Sequence, residues 1–262
     1  MTVFLHELRQ GRKAFCIWTG AIGFFLAVCV FIFPEMKGEM DALSDTFASM
    51  GSFTAAFGMD RLNFGTLIGY YTIECGNVLG LAGAFFAALT GAGLLAKEER
   101  GRTADFLLTH PISRRRVISE KLLTLLTEIS VLNLVIFLLA LGSIAAIGES
   151  IPFKDIAHLH LAYYLLQLEL GAICFGLSAF LRRGSAGVGL GLASLAYMMN
   201  IIANIAPSVE FLKYITPYAF CDGASIVGEG KLDMIKVGIG LVLGVLGIAA
   251  AYWKYERKDI NQ

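Results

Sequence analysis

Charged residues are scarce in this chain, and the two signs balance. Acidic and basic side chains number 21 each among 262 residues and together make up 16% of the chain, whereas soluble globular proteins carry about 25%. A disordered chain is excluded, because disorder requires low hydrophobicity and high net charge, and 56% of these residues are hydrophobic. A net charge of zero also provides no field to neutralise nucleic-acid phosphates. The composition indicates a polytopic membrane protein with no nucleic-acid partner.

The motifs of common catalytic and metal sites are missing as well. The five cysteines form no CxxC pair, and His158 and His160 have no nearby carboxylate or cysteine to complete a four-ligand metal site. No phosphate loop of the form G-x-x-x-x-G-K-S/T occurs. We therefore expect no catalytic residue, no metal site and no bound cofactor, so that the chain by itself is not an enzyme.

Long apolar stretches predict an all-α fold with six membrane-spanning helices. A hydrocarbon core about 30 Å thick requires about 20 apolar residues in a helix. Such stretches occupy residues 14–33, 67–96, 121–147, 161–181, 187–206 and 234–253. All five prolines lie between these spans or at their ends, where a missing backbone N–H is tolerated. We expect one transmembrane domain over residues 1–262.

Basic residues gather on one side of the predicted membrane. Most of the 21 lie in the N-terminal tail, the 97–121 loop, the Arg182–Arg183 pair and the C-terminal tail. The opposite loops are acidic. By the positive-inside rule, both termini are expected to be cytoplasmic.

The segment 36–50, between the first two spans, is amphipathic. Its apolar residues recur at spacings of four and three, with acidic residues on the other face. This pattern predicts a helix that lies on the outer membrane surface. A helix packed on the neighbouring spans is the alternative.

Two carboxyl groups lie deep in the predicted spans. Glu169 is close to the midplane, and Glu128 is about 10 Å deep at 1.5 Å per residue. Such a group costs about 2.5–3.5 kcal/mol to insert, which makes it a functional candidate. No Lys or Arg lies well inside a span to pair with either one. Each is then a neutral acid that bridges helices, or it faces a translocation path together with polar residues such as Asn133 and Asn200.

The loop between the second and third spans carries the most specific pattern. Thr103 can cap a short helix, with Asp105 in its first turn. Phe106 to Leu108 then form an apolar patch, and Ser113 caps the next helix. Such a patch in the cytoplasm requires a partner protein, although an ordinary juxtamembrane loop in contact with anionic lipid is the alternative.

This loop resembles the cytoplasmic loop of ABC-2-type permeases, the membrane subunits of one class of ABC transporter. That family shows Glu, then Gly-Thr-x-acid-x-Leu-Leu, then Pro-x-Ser-Arg. The matching residues are Glu98, Glu99, Gly101, Thr103, Asp105, Leu107, Leu108, Pro111, Ser113 and Arg114. Arg102 departs from the pattern, since it separates a Gly and a Thr that are commonly adjacent. The six spans, the outer segment and the Thr-Pro-Tyr stretch at 216–218 are also similar to the family.

The resemblance implies a multi-pass permease subunit in a bacterial cell membrane. The loop would be a short coupling helix seated in a separate ATP-binding subunit, present in two copies, which binds the ATP and Mg²⁺. A second permease chain, identical or not, would complete the cargo path. Phe106 and Leu107 would seat in the partner, with polar contacts around them from Glu98, Glu99, Arg114, Arg115 and Arg116. Most relatives export drugs, peptides or lipid-like molecules.

Three other functions remain open. The chain could be a secondary transporter that uses Glu169 and Glu128 as a proton relay without ATP. It could be an intramembrane lipid enzyme, although no convergent polar residues support one. It could also be a sensor that binds the same ATPase without transporting a cargo.

Overall fold

A computed structural model describes residues 2–97, 113–181 and 185–257 of the chain, without the side chains of 40–49, 52–53 and 185. Across these ranges every regular element is helical. The α-helices are α1 Thr2–Ser49, α2 Ser52–Ala56, α3 Leu67–Cys75, α4 Gly83–Leu94, α5 Arg114–Ala146, α6 Phe153–Ser178, α7 Ser185–Ile205, α8 Gly223–Glu229 and α9 Met234–Glu256. A π-helical segment, Gly76–Ala82, joins α3 to α4, and short 3₁₀ helices occupy Met59–Arg61, Pro207–Tyr214 and Pro217–Cys221.

The six predicted spans are confirmed as helices that are long and apolar enough to cross a membrane. They occupy Thr2–Glu39, Leu67–Leu94, Arg114–Ala146, Phe153–Ser178, Ala186–Ile205 and Met234–Glu256. Several begin before the predicted apolar stretch, because a helix continues for as long as its backbone hydrogen bonds do and ends at its cap. Lys121, which the apolar length places at the edge of a loop, therefore lies well inside α5.

The sequence predicts that the helix of the first span ends before the amphipathic segment 36–50, and this prediction is wrong. Residues 36–49 are helical, as predicted, but α1 continues through Pro34 as one helix to Ser49. Membrane helices tolerate such a proline because surrounding groups take over the freed backbone carbonyl. Packing on both sides holds the helix in place. Phe33 is fully buried with its ring 5.3 Å from that of Tyr70, and the Lys37 ammonium lies 2.8 Å from Glu149 Oε1.

Helix α6 lies at the centre of the bundle. In its apolar 18-residue stretch 67% of the residues are buried, against 22% in the corresponding stretches of α1, α7 and α9. It packs on α4 and α9, while α1 packs on α5 and α4 on α7. Glycines allow the closest of these approaches: a Cβ on Gly247 of α9 would lie 2.8 Å from the backbone oxygen of Ala172 in α6.

The basic parts of the chain at the start of α1, the start of α5 and the end of α9 lie together at one end of the bundle. The start of α1 is bound to α5, since Glu120 Oε2 accepts hydrogen bonds from the backbone N–H of Val3 at 2.9 Å and Phe4 at 3.1 Å. The end of α9 is bound to the start of α5 through Glu256, which lies 2.6 Å from Arg115 Nε. The N-terminal end of the first spanning helix and the C-terminal end of the last therefore lie on the same side of the bundle, as the charge pattern predicts.

Candidate functional site

The predicted coupling segment lies between α4 and α5. Nine of its proposed residues lie outside the described part of the chain: Glu98, Glu99, Gly101, Thr103, Asp105, Phe106, Leu107, Leu108 and Pro111. The structure does describe Lys97, directly before them, and Ser113, Arg114, Arg115 and Arg116, directly after them. The two ends from which the segment emerges are thus defined.

The predicted helix cap at Ser113 is confirmed. Its Oγ accepts a hydrogen bond from the backbone N–H of Arg116 at 3.3 Å. Arg114 Nη1 donates to the backbone oxygen of Glu256 at 3.1 Å, and Arg115 Nε donates to that residue's side chain. Two cations at the carboxyl end of α9 complement its dipole. Arg116 Nε donates to Glu120 Oε1 at 2.9 Å, so these arginines fasten the start of α5.

A buried ion cluster joins α1, α4 and α5 at the end of the bundle where α4 ends and α5 begins. The Lys121 side chain is fully buried, and its ammonium lies 2.9 Å from Glu7 Oε1 and 2.6 Å from the backbone oxygen of Leu94. The other oxygen of Glu7 pairs with Lys97, whose ammonium also donates to Gln10 Oε1 at 2.7 Å. One carboxylate therefore binds the lysines on both sides of the segment.

The apolar stretches alone do not identify this cluster. Glu7 precedes the first stretch and Lys121 opens the third, so both resemble tail or loop residues. A signal is present in the helical register, because Lys121 shares a face with Val117, Leu125 and Glu128, all of them buried. A cation on such a face implies a buried carboxylate partner.

Glu128 lines a cavity of about 410 Å³ between α1, α4, α5 and the first turn of α7. Its carboxylate packs against the backbone of α1 at Gly11, where a Cβ would lie 2.6 Å from Oε1. The side chain accepts no hydrogen bond and forms no ion pair with any described residue. Glu128 therefore lies between α5 and α1 at the wall of a cavity, and both alternatives for its role stay predictions.

Asn133 forms a polar bridge inside the bundle. Its amide nitrogen donates to Gln167 Oε1 at 2.7 Å and to the backbone oxygen of Ile129 at 2.8 Å. Gln167 in turn donates to the backbone oxygen of Leu79, at 3.3 Å, in the π-helical segment. The network links α5, α6 and the segment between α3 and α4.

Glu169 lies in α6 against α9. Both of its carboxylate oxygens are buried without a hydrogen-bond partner among the described residues, and the side chain occupies the space that a Cβ on Gly240 would need. It lines a cavity of about 10 Å³ together with Lys213 and Lys236. Glu169 and Glu128 thus line different cavities.

Asn200 lines a third cavity, of about 660 Å³, at the opposite end of the bundle from the coupling segment. Its walls carry ion pairs: Arg61 Nη2 lies 2.9 Å from Asp222 Oδ2, and Lys236 Nζ lies 3.0 Å from Asp233 Oδ2. The hydrogen bond from Lys236 holds the pKa of Asp233 below its usual range. The four residues proposed for a translocation path are therefore not gathered in one place.

The H-x-H pair is part of the packed interior. His160 Nε2 lies 2.7 Å from the hydroxyl of Tyr71, and its ring packs on Phe137 with the centroids 5.1 Å apart. Among the described residues, no three His, Cys, Asp or Glu side chains converge in a way that could hold a metal ion.

Comparison with known proteins agrees with the fold. Uncharacterized protein YhcI of Bacillus subtilis (strain 168) is 27% identical over 253 residues, which covers 86% of this chain and 74% of that protein. The sequence pattern of the ABC-2 family transporter proteins matches residues 1–260 and so includes all six spanning helices. The chain belongs to the ABC-2 family of transporter membrane proteins.

Proposed function

We propose that this chain is the permease subunit of an ATP-driven exporter and that separate ATP-binding subunits engage it through residues 98–112. One observation supports the proposal: the chain on both sides of this segment is bound to the same buried carboxylate, Glu7, through Lys97 directly before it and Lys121 in α5. A force on the segment would therefore move α1, α4 and α5 together.

A second set of contacts extends this coupling to α9. Arg114 and Arg115 bind its last turn, and the hydroxyls of Ser119 and Tyr252 lie 2.6 Å apart. A displacement of the start of α5 is thus transmitted to a helix that packs along α6. The chain's own residues transmit motion and line the cargo path, while ATP and Mg²⁺ bind to the partner.

The complete transporter would contain two ATP-binding subunits and two permease chains in a bacterial cell membrane. The helices whose apolar stretches are least buried, α1, α7 and α9, would face lipid or the second permease. Phe24, Leu195 and Val245, one from each helix, are 65%, 58% and 63% exposed. Both termini and the coupling segment would lie in the cytoplasm, and the cargo would be hydrophobic or amphipathic.

The proposal is tested by uncoupling the segment from its partner. We expect Phe106→Asp with Leu107→Asp to leave the protein in the membrane but to abolish its stimulation of the ATPase with which it copurifies. A buried apolar contact cannot form around two carboxylates. The measurement is ATP hydrolysis by the reconstituted complex, with the partner taken from a neighbouring gene that encodes a phosphate loop.

The matched control places the same charges at the other end of the bundle. Ile151 and Phe153 are exposed there, by 39% and 59%, and Asp at both positions should leave ATPase stimulation unchanged. Full stimulation by the Phe106 and Leu107 variant would contradict the proposal, and so would transport driven by a proton gradient without ATP.

A further inference from the structure

The cavity beside the ion cluster has the size and chemistry of a ligand site. Its volume of about 410 Å³ lies within the range of about 300–1,000 Å³ that small-molecule pockets occupy. Ala14 and Ala186 line it and are exposed, so the cavity is open at the side of the bundle. It lies at the end from which the coupling segment emerges.

One carboxyl group in this cavity is available to a ligand. Glu128 is 7% exposed, and its side chain has no hydrogen bond or ion pair to any described residue. The nearby Glu7 is occupied, since Lys97 and Lys121 bind its two oxygens. Because that cluster uses its two lysines internally, an incoming cation would find its counter-charge at Glu128.

Three aromatic residues also line the cavity, Phe15 and Trp18 from α1 and Phe86 from α4. Phe86 of α4 packs against two residues of α1, with its ring centroid 6.1 Å from that of Phe15 and 6.3 Å from that of Trp18. Phe86 is 2% exposed and is held in place by this packing. Clustered aromatic faces beside a carboxylate attract organic cations, because the negative ring faces stabilise the charge while the rings exclude water.

We infer that this cavity, which Glu128, Phe15, Trp18 and Phe86 line, binds an amphipathic organic cation, such as a lipophilic amine or a quaternary onium ion. The inference rests on the proposed function, because it names the class of cargo that the permease would accept. The charged part of the ligand pairs with Glu128, and its apolar part lies along the rings and the exposed side of the bundle.

The position of the cavity explains how cargo would act on the ATPase. Lys97 lines it and directly precedes the coupling segment, and Thr124 and Glu128 line it from α5, which follows that segment. A bound cation therefore contacts both helices that leave the segment. Occupancy of the cavity should change the spacing of α4 and α5 and thereby stimulate the partner.

Equilibrium dialysis of tetraphenylphosphonium against the purified full chain in nonionic detergent tests the binding step. We expect saturable binding that weakens by about tenfold or more in Glu128→Gln, which keeps the shape and removes the charge. Tetraphenylborate has the same shape and the opposite charge, and it should not bind. Equal binding of phosphonium and borate, or an unchanged affinity in Glu128→Gln, would overturn the inference.

Matched variants separate a local effect from a folding effect. Glu74→Gln removes a half-buried carboxyl group outside the cavity, next to Cys29, and should leave binding unchanged. Gly93 lines the cavity, and a Cβ there meets no atom within 4 Å, so Gly93→Leu should fill the space and abolish binding. Gly142→Leu, in equally open space on α5, should not. Binding that survives Gly93→Leu would place the cation elsewhere.

The ammonium of a lipid headgroup offers the same chemistry as a cationic cargo, and competition distinguishes the two. Displacement of the probe by phosphatidylethanolamine, but not by phosphatidylglycerol, would assign the cavity to a lipid and overturn the inference. No displacement by either lipid supports it.

The dialysis requires no ATPase, so its result is independent of the proposed function. Cation binding without ATPase stimulation would contradict the permease proposal alone. Stimulation that depends on residues 106 and 107, without cation binding, would contradict the inference alone.

Discussion

At the scale of single residues, the least expected feature is the fully buried Lys121. Removing an ammonium from water costs several kcal/mol, and only a close carboxylate with further hydrogen bonds compensates for this cost. Glu7 and the Leu94 carbonyl provide both. Since the carbonyl lies in the last turn of α4, the same ammonium also satisfies a backbone group that the helix itself leaves unpaired.

Lys121→Met should destabilise the fold by about 3–5 kcal/mol, because it leaves Glu7 buried with one cation fewer. Thermal unfolding of the purified protein, followed by tryptophan fluorescence, measures this loss. The combined Glu7→Gln and Lys121→Met variant should recover much of the stability, since no buried charge is left without a partner. Lys13→Met, at an exposed position of α1, is the control, and equal melting of the two single variants would contradict the assignment.

At the scale of elements, small residues decide how closely the helices approach. The GxxxG spacing of Gly187 and Gly191 predicts a face that packs within the chain or against another subunit, and a Cβ at either position meets no atom of this chain within 4 Å. Within the chain α7 approaches α4 closely at Gly189, where a Cβ would lie 2.7 Å from the backbone oxygen of Ala88. The face of Gly187 and Gly191 therefore stays a predicted contact with another subunit.

Gly189→Ala should therefore destabilise the protein by about 1–3 kcal/mol, because the added methyl meets rigid backbone and forces α7 away from α4. Gly191→Ala, two residues further along the same helix, should leave the melting temperature unchanged or raise it, since Ala favours helix. Both are measured by thermal unfolding in detergent. Equal destabilisation by the two substitutions would show that α7 packs through another face.

At the scale of the whole molecule, contacts sort the chain ends and loops into two sets. The start of α1, the residues on either side of the predicted coupling segment and the last turn of α9 lie together. Glu149 and Lys37 meet at the opposite end. This grouping agrees with the positive-inside pattern, which assigns the first set to the cytoplasm.

Labelling with a membrane-impermeant maleimide in intact cells tests this orientation. In a background without the five native cysteines, Lys154→Cys should react, because the exposed residue lies at the predicted outer end. Arg257→Cys, just after α9, should react only once the membrane is opened. Reaction of Arg257→Cys in intact cells would place the coupling segment outside the cell and contradict the permease proposal.

Local chemistry made part of the fold and site predictable. The six spans follow from the length of apolar sequence that a bilayer demands, and the start of α5 follows from the cap at Ser113. The sequence could identify Glu128 and Glu169 as candidate functional residues, because a carboxyl group is costly to place in an apolar stretch. The prediction that a helix ends at Pro34 was wrong. A proline between apolar and amphipathic segments ends most helices, but not a helix that its neighbours hold in line.

The sequence by itself determined the class of the protein, the number of its membrane helices and the loop that resembles a coupling segment, because each depends on residues close together along the chain. Only the tertiary structure decided that Glu7 binds Lys97 and Lys121, that Glu128 and Glu169 line separate cavities and that Gly189 makes the contact between α7 and α4. These relations join helices far apart in sequence, and the faces that meet are set by packing of the whole bundle rather than by any local pattern.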